Sequence, residues 1–272
     1  GWLNGVSEWH VNAPNRPYSI RLDPALKYKN EPSLRFELRQ GDAWVGPKGS
    51  KTFRAELVPS TFPPTGSTRY YGCSIFIPKD FPVEDNRLVL LQWWPETKSE
   101  LGEVGRSPSL AVRYAEGLLS VSIRHSPERV VKDPDRVSQE KIFKTDRLKR
   151  GEWNRFAFQV KWSFEDDGMV KVWWNDKSVA SYEGPVGYND DKGPLFKFGL
   201  YRDDSEKTYV VYFSDCRECR SLDLIVQRRI PDRSSKMYDQ VETSTNQSSL
   251  PSIYLAQSSQ TDCQESSSGG SS

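Results

Sequence analysis

The segment 154–163, Asn-Arg-Phe-Ala-Phe-Gln-Val-Lys-Trp-Ser, places a large apolar side chain at every second position from Phe156 to Val160. A period of two is typical of a β-strand that packs one face against a core. The stretch 172–179 then carries Asn175-Asp176 between two apolar runs, which predicts a hairpin with this dipeptide at its tip. Asp166-Asp167-Gly168 marks the turn between the two stretches. The centre of the chain is therefore predicted to consist of adjacent antiparallel strands.

Segments of the same kind cover the chain on both sides of this hairpin. Each is rich in β-branched or aromatic residues and is bounded by Gly, Pro, Asn or Asp. Helical periodicity is weak, and the best helix candidate is the charged stretch 140–150. Roughly ten to fourteen strands predict an all-β fold, a two-sheet antiparallel jelly-roll sandwich of the concanavalin-like kind. The further strand segments are SLRFELR (33–39), FRAELVP (53–59), YYGCSIFIP (70–78), RLVLLQWW (87–94), SLAVRYA (109–115), LLSVSIRH (118–125), LFKFGLYR (195–202) and YVVYFSD (209–215).

Composition restricts the function. Aromatic residues make up 12% of the chain although hydrophobic residues make up only 36%, so large rings must supply much of the core. The formal net charge of +1 argues against nucleic acid or a membrane surface as partner, because both attract proteins with excess positive charge. The sequence contains no apolar run of about 18 residues, the length that would predict a membrane span. The chain begins with Gly-Trp rather than Met, which indicates a processed product or a fragment.

The composition changes near residue 231. Residues 231–272 are rich in Ser and have almost no periodic apolar positions, so they cannot bury enough surface to offset their chain entropy. We expect a single β-sandwich domain over residues 1–230 and a disordered tail over residues 231–272.

The four cysteines leave two interpretations open. Cys216 and Cys219 form a Cys-x-x-Cys pair, which indicates half of a zinc site or a local disulfide, whereas Cys73 and Cys263 are isolated. The chain has only two histidines, and neither has the spacing of a zinc ligand. Free thiols or one short disulfide near a strand end are the preferred interpretation.

Strand periodicity also shows which side chains share a face. In the strand 195–202 every second residue is apolar, so Lys197, Gly199 and Tyr201 lie on the face opposite the core. The glycine is expected to leave open space between the two functional groups. The same parity places Arg54 beside Glu56 on one strand.

Gln92 shares a face with Trp94 on a third strand by the same parity. A concave sheet that carries Arg, Lys, Gln, Tyr and Trp can hold a sugar chain. The rings stack on sugar faces, and the cations attract carboxylates or sulfates.

Seven segments, in this order, resemble those of the polysaccharide lyases of the heparin lyase and glucuronan lyase-like β-jelly-roll group. The resemblance covers roughly Phe53 to Asp215, and a similar pattern occurs in jelly-roll alginate lyases. It implies cleavage of a uronic-acid-containing polysaccharide by β-elimination. The segments are FRAEL (53–57), YYGCSIFIPKDFP (70–82), LLQWW (90–94), GRSPSLAVRY (105–114), GEWNRFAFQVKWS (151–163), VKVWWNDK (170–177) and GPLFKFGLYRDD (193–204).

The resemblance implies roles for individual residues. Arg54 and Gln92 would neutralise the uronate carboxylate and so make the C5 proton removable. Tyr201 would protonate the departing O4, and cations such as Lys197 would ease the loss of its proton. Glu56, Trp94, Arg113, Arg124 and Arg202 are the predicted substrate-binding residues.

One position departs from the family's Gln-Trp-His pattern, because Trp94 stands where the histidine is expected. His125 is the first candidate to replace it and His10 a weaker one. Without the histidine, three alternatives remain open: a tyrosine-only mechanism, an altered specificity, or sugar binding without catalysis.

The expected substrate is an anionic polysaccharide, and a glucuronan-type chain is favoured by the near-zero net charge and by the lack of a large insertion. The alternative is a non-catalytic carbohydrate-binding jelly-roll protein. A glucan hydrolase is disfavoured because no Glu-x-Asp-x-x-Glu run occurs. The chemistry requires no cofactor, although acidic turn pairs such as Asp190-Asp191 could bind a structural calcium ion. From the resemblance we expect a secreted protein, extracellular or periplasmic, and a monomer.

Overall fold

The computed structural model describes residues 9–221 apart from residues 48, 61 and 147. The regular elements there are sixteen β-strands and two short 3-10 turns, at Ser99–Leu101 and Pro134–Arg136. The strands are β1 Trp9–Asn12, β2 Ile20–Tyr28, β3 Glu31–Leu38, β4 Trp44–Val45, β5 Lys51–Pro59, β6 Thr68–Phe76, β7 Leu88–Trp94, β8 Leu110–Ala115, β9 Leu118–Ser126, β10 Ser138–Lys144, β11 Trp153–Lys161, β12 Met169–Trp174, β13 Lys177–Glu183, β14 Gly187–Tyr188, β15 Leu195–Arg202 and β16 Tyr209–Cys219.

The strands form two sheets. The first sheet has the order β1-β5-β15-β7-β8-β9-β10, with β4 and β14 attached at β5 and β9. The second has the order β13-β12-β11-β6-β16-β3-β2. Neighbouring strands pair antiparallel throughout, except for the two-residue β14, which runs parallel to β9. The predicted two-sheet jelly-roll sandwich is confirmed.

The core between the sheets is built from aromatic rings. Trp93 of β7 is stacked on Phe196 of β15, with ring centroids 5.0 Å apart, and Tyr71 of β6 meets both from the opposite sheet. The indole of Trp162 donates a hydrogen bond of 3.0 Å to the Tyr71 hydroxyl, which pairs these two buried polar groups. Because rings bury large areas, this core compensates for the low hydrophobic content.

Ten predicted strand segments coincide with strands, and the Asn175-Asp176 hairpin is confirmed. Both of its tip residues have positive φ, as a tight two-residue turn requires. The predicted helix at 140–150 is wrong, because Ser138–Lys144 forms the edge strand β10 along β9. Its Ile142 and Phe143 pack on the core while its other side chains face solvent, which produced the misleading charged pattern.

The cysteine prediction also needs correction. Cys73 of β6 and Cys216 of β16 form a disulfide that joins adjacent strands of the second sheet across 143 residues of sequence. Cys219 is buried and takes no part in this disulfide, so the Cys-x-x-Cys pair is not bridged to itself. The predicted tail at 231–272 lies outside the described residues. In the part of the chain that is described, no helix has the length and apolarity to cross a membrane.

Candidate active site

Three neighbouring strands of the first sheet bring four predicted catalytic residues onto its outer face, the face that points away from the core. β15 lies between β5 and β7. Tyr201 is paired across the strands with Arg54, and Lys197 is paired with Gln92. Because adjacent strands are about 4.8 Å apart, these side chains form one patch three strands wide.

Glu56 connects Arg54 and Gln92 through its buried carboxylate. Its carboxylate accepts a hydrogen bond from the Gln92 amide and lies 3.4 Å from the Arg54 guanidinium. Glu56 is only 1% exposed, whereas Arg54 is 9% exposed. Gln92 is as buried as Glu56, so an approaching anion meets Arg54 first. Glu56 positions the two donors and is not itself a surface for substrate.

Tyr201 lies between two guanidinium groups. The Cζ atom of Arg54 is 4.4 Å from the centre of its ring, and that of Arg87 is 4.9 Å away. These two cation–π contacts hold the ring in place between β5 and the start of β7. The sequence analysis did not select Arg87, because this residue precedes the segment LLQWW (90–94) that carries the family resemblance.

Lys197 lies beneath the aromatic ring of Trp94. Its Nζ atom is 4.9 Å from the ring centre, and the residue is 6% exposed. Burial lowers the pKa of this amine to about 8; nearby Glu56 opposes the shift and Arg54 adds to it. Trp94 thus covers the lysine at the position where the resemblance implies a histidine.

Gly199 has a different role from the predicted one. A Cβ atom at this position would lie 2.2 Å from the Ala55 carbonyl oxygen of β5, and the residue has a φ of +142°. The glycine is therefore required by the close approach of two backbones and does not open space for a sugar ring.

Two further predicted residues, Arg113 and Arg124, lie on the same face across β8 and β9. Arg113 donates a hydrogen bond to the Ser122 hydroxyl, and no carboxylate among the described residues lies within 4.0 Å of either guanidinium. Burial, followed by repulsion from Arg124 and Arg87, lowers the pKa of Arg113 to about 10. Burial also lowers the pKa of Arg124. These are cations held without a counter-charge.

Two site predictions are wrong. His125 follows Arg124 and so points to the opposite face, where its Nε2 atom lies 4.0 Å from Glu140. Arg202 follows Tyr201 and is 1% exposed; its guanidinium donates to the backbone carbonyls of Arg39, Asp203 and Ser205. Neither residue can reach a substrate at Tyr201.

His10 lies in β1 rather than in an irregular stretch. It pairs with Val58 at the edge of the first sheet, on the outer face, and its ring is hydrogen-bonded to the Ser60 hydroxyl at 3.2 Å. It is separated from Tyr201 by two strand spacings sideways and four residues along β5. This distance is too large for His10 and Tyr201 to act on the same atoms of a bound molecule.

Trp44 extends the patch beyond Arg54. Its ring centre is 5.3 Å from the Arg54 Cζ atom, and it lines an open cavity of about 670 Å³ together with Arg16 and Lys51. An indole beside two cations suits a further unit of an anionic sugar chain. No strand pattern marked Trp44, because it belongs to the two-residue strand β4.

The acidic turn pairs that suggested calcium are engaged with cations. Asp190 is bound by Lys98 and Arg106, and Asp191 is paired with Arg129. Within the described ranges, no group of three or more His, Cys, Asp or Glu side chains is placed to hold a metal ion. The calcium site stays a prediction.

A sequence model of the polysaccharide lyase family matches residues 3–217. A search of curated proteins found no match. The family match spans the whole patch, from Arg54 to Tyr201, and all three strands that carry it.

Solved structures with the same fold include lyases and a hydrolase. An endo-β-1,4-glucuronan lyase from the fungus Trichoderma reesei is 14% identical, with a TM-score of 0.66 over 79% of this chain and 92% of that one. Alginate lyase vAL-1 from a Chlorella virus is 13% identical, with a TM-score of 0.51 over 78% and 92%. A family 131 glycoside hydrolase domain from Coprinopsis cinerea is 16% identical, with a TM-score of 0.53 over 79% and 83%. At these identities the likeness concerns the fold alone.

Proposed function

The chain belongs to the polysaccharide lyase family, and from that premise we propose that it cleaves a uronic-acid-containing polysaccharide of the glucuronan type by β-elimination. The observation that carries the proposal is the patch of Arg54, Gln92, Lys197 and Tyr201 on one face of three adjacent strands. These groups are the types that β-elimination from a uronate requires.

Carboxylate neutralisation is the first requirement, because the C5 proton is barely acidic while the uronate carboxylate keeps its charge. Arg54 and Gln92 are suited to hydrogen-bond the carboxylate and the enolate that develops from it. Glu56 holds both side chains in place before substrate arrives, so little reorganisation accompanies binding.

Leaving-group protonation is the second requirement. When C4–O4 breaks, the departing oxygen needs a proton, and the Tyr201 hydroxyl is the donor. The phenolate that remains is stabilised by Arg54 and Arg87, whose guanidinium groups lie over the ring.

The choice of a glucuronan-type substrate rests on the distribution of cations. Arg113 and Arg124 lie across β8 and β9 on the outer face, and Arg16 and Lys51 lie beyond Trp44 on the other side. A chain with a carboxylate on every sugar would meet a cation on each side of Tyr201. The net charge of +1 disfavours a densely sulfated substrate, which would call for more positive charge.

The proposal includes secretion of a monomeric enzyme. A uronate polysaccharide is an extracellular substrate, and the Cys73–Cys216 disulfide is the kind of bond that persists in oxidising compartments.

A non-catalytic sugar-binding protein is the second candidate. The observation that favours it is Trp94, which stands at the position where the resemblance implies a histidine and presents an exposed part of its ring on the outer face. Such a protein would bind the same polysaccharides through the same cations and rings without cleaving them.

The deciding experiment measures the ultraviolet absorbance of unsaturated uronate over glucuronan, alginate, heparin, heparan sulfate and chondroitin. Tyr201→Phe should lower kcat by about 10²–10⁴-fold on the substrate that wild type cleaves. Tyr70→Phe, on β6 of the other sheet, is the matched control and should retain full activity. Binding by wild type without absorbance on any polymer would select the second candidate.

A further inference from the structure

Lys197 is an amine held in an unusual environment for a lysine. It is 6% exposed, and among the described residues its Nζ atom has no hydrogen-bond acceptor and no carboxylate within 4.0 Å. The contact that the structure provides is the face of Trp94 at 4.9 Å. Lys197 faces the outer side of the sheet, paired with Gln92 and four residues from Tyr201 on the same strand.

A second buried lysine shows how the fold treats an ammonium group that serves structure. Lys98 is also 6% exposed, but its Nζ atom donates to the Asp190 carboxylate at 2.9 Å and to the carbonyl oxygens of Arg129 and Asn189 at 3.2 Å. Three acceptors satisfy the three protons of an ammonium ion. Lys197 lacks all three, so its surroundings suit the neutral amine.

The charged groups around Lys197 come from two strands. Glu56 and Arg54 of β5 act on it in opposite directions, while β7 contributes the uncharged Gln92 and Trp94. Burial dominates and brings the pKa of the amine to about 8. At mildly alkaline pH about half of the molecules or more therefore carry an amine with a free lone pair.

We propose that Lys197, as the neutral amine, is the general base that removes the C5 proton of the uronate, in place of the histidine replaced by Trp94. This inference rests on the proposed β-elimination. The amine lone pair takes the C5 proton, and the C5–H electron pair becomes the C4=C5 double bond. The C4–O4 bond breaks, and O4 takes the proton of Tyr201. The Lys197 ammonium then returns a proton to the Tyr201 phenolate through water, which restores both groups.

The alternative role for Lys197 is a cation that only binds the substrate carboxylate, and Lys197→Arg separates the two roles. Arginine keeps the positive charge but does not lose its proton. A base role predicts a loss in kcat of about 10²–10⁴-fold with an unchanged dissociation constant for the polymer. Lys207→Arg, at an exposed lysine paired with Glu84, is the matched control and should keep wild-type kinetics.

Two measurements do not depend on how the arginine variant folds. The wild-type profile of kcat/KM should rise with pH through about 8, because the protonated amine cannot accept a proton. Lys197→Ala should be rescued by added methylamine or ethylamine, at a rate that increases with the basicity of the amine. Tyr201→Phe should not be rescued.

The outcomes separate this inference from the function on which it rests. Wild type that makes no unsaturated product from any polymer overturns both. If wild type does make product, three results would each overturn the base role alone. They are full activity of Lys197→Arg, a flat pH profile between about pH 6.5 and 9, and the absence of amine rescue.

Discussion

Asp190 neutralises two buried cations at a point where three loops meet. Its carboxylate accepts hydrogen bonds from Lys98 at 2.9 Å and from Arg106 at 2.9 and 3.1 Å, and all three residues are at most 6% exposed. Removing the charge leaves Lys98 without its carboxylate partner in a region of low polarity, and it leaves Arg106 with its second carboxylate, Glu103 at 3.4 Å. We expect Asp190→Asn to lower the free energy of unfolding by about 3–5 kcal/mol in urea titrations.

The neighbouring residue supplies the control. Asp191 is paired with Arg129, but its side chain is 63% exposed, so solvent screens the ion pair. Asp191→Asn should leave the free energy of unfolding nearly unchanged. Equal losses in the two variants would show that burial of the Asp190 cluster is not what makes it stabilising.

Arg124 offers a test of function against stability. Its Nη1 atom is buried without a hydrogen-bond partner in the described structure, and no carboxylate offsets its charge. If it binds a substrate carboxylate, Arg124→Gln should raise KM by about tenfold, the value of one charge-assisted hydrogen bond, and leave kcat nearly unchanged. The unfolding midpoint should not fall. An unchanged KM would remove Arg124 from the proposed binding surface.

At the scale of elements, β15 positions the site through its contact with β5. Because a Cβ atom on Gly199 would meet the Ala55 carbonyl at 2.2 Å, Gly199→Ala must push the two strands apart. That shift separates Arg54 from Tyr201, so we expect a loss of about 2 kcal/mol in stability together with reduced kcat. Thermal unfolding and the lyase assay measure the two effects.

Gly105→Ala is the corresponding control, since a Cβ atom there has open space around it. It should leave stability within about 0.5 kcal/mol of wild type and leave activity unchanged. A Gly199→Ala variant that behaved like Gly105→Ala would show that the strands can separate without consequence.

Strand periodicity was sufficient to place Lys197 and Tyr201 on the outer face of β15, because they alternate regularly with core residues of that strand. It failed on β7, where the register with both neighbouring strands shifts around Leu90. That irregularity places Leu90 and Leu91 in the core together and turns Arg87 toward Tyr201. A β-bulge reverses which face of the sheet the following side chains occupy, and a run of leucines does not reveal where the bulge lies.

At the ends of two strands, residues were selected for their chemical type although the strand pattern places them on the core side. The last residue of β15, Arg202, has the charge of a ligand, but parity places it on the core side, where backbone carbonyls bind it. The candidacy of His125 rested on the missing histidine, whereas parity places it on the same face as Ile123, opposite Arg124. Where strand parity and residue type disagree, parity is the stronger argument for which face a side chain occupies.

At the scale of the whole molecule, the sequence could not show which strands are neighbours. β5 pairs with β15, and β6 pairs with β16, although roughly 140 residues separate the members of each pair. Local pattern contains no information on such long-range pairing. The active-site patch depended on the family resemblance for its assembly. The disulfide between Cys73 and Cys216 was not among the interpretations that the Cys-x-x-Cys spacing suggested, which were half of a zinc site, free thiols or a local bridge.

The Cys73–Cys216 disulfide closes a loop that contains every strand from β7 to β15, because it ties β6 to the last strand. A cross-link over 143 residues restricts the unfolded chain strongly, so the double variant Cys73→Ala/Cys216→Ala should lose about 2–5 kcal/mol of unfolding free energy. Dithiothreitol should lower the stability of wild type by the same amount and leave the double variant unchanged. Cys219→Ala should remain as sensitive to reductant as wild type, since Cys219 takes no part in the Cys73–Cys216 bond. If Cys219→Ala instead abolished the sensitivity, the bond would be the local Cys-x-x-Cys bridge, and the second sheet would be closed by its hydrogen bonds alone.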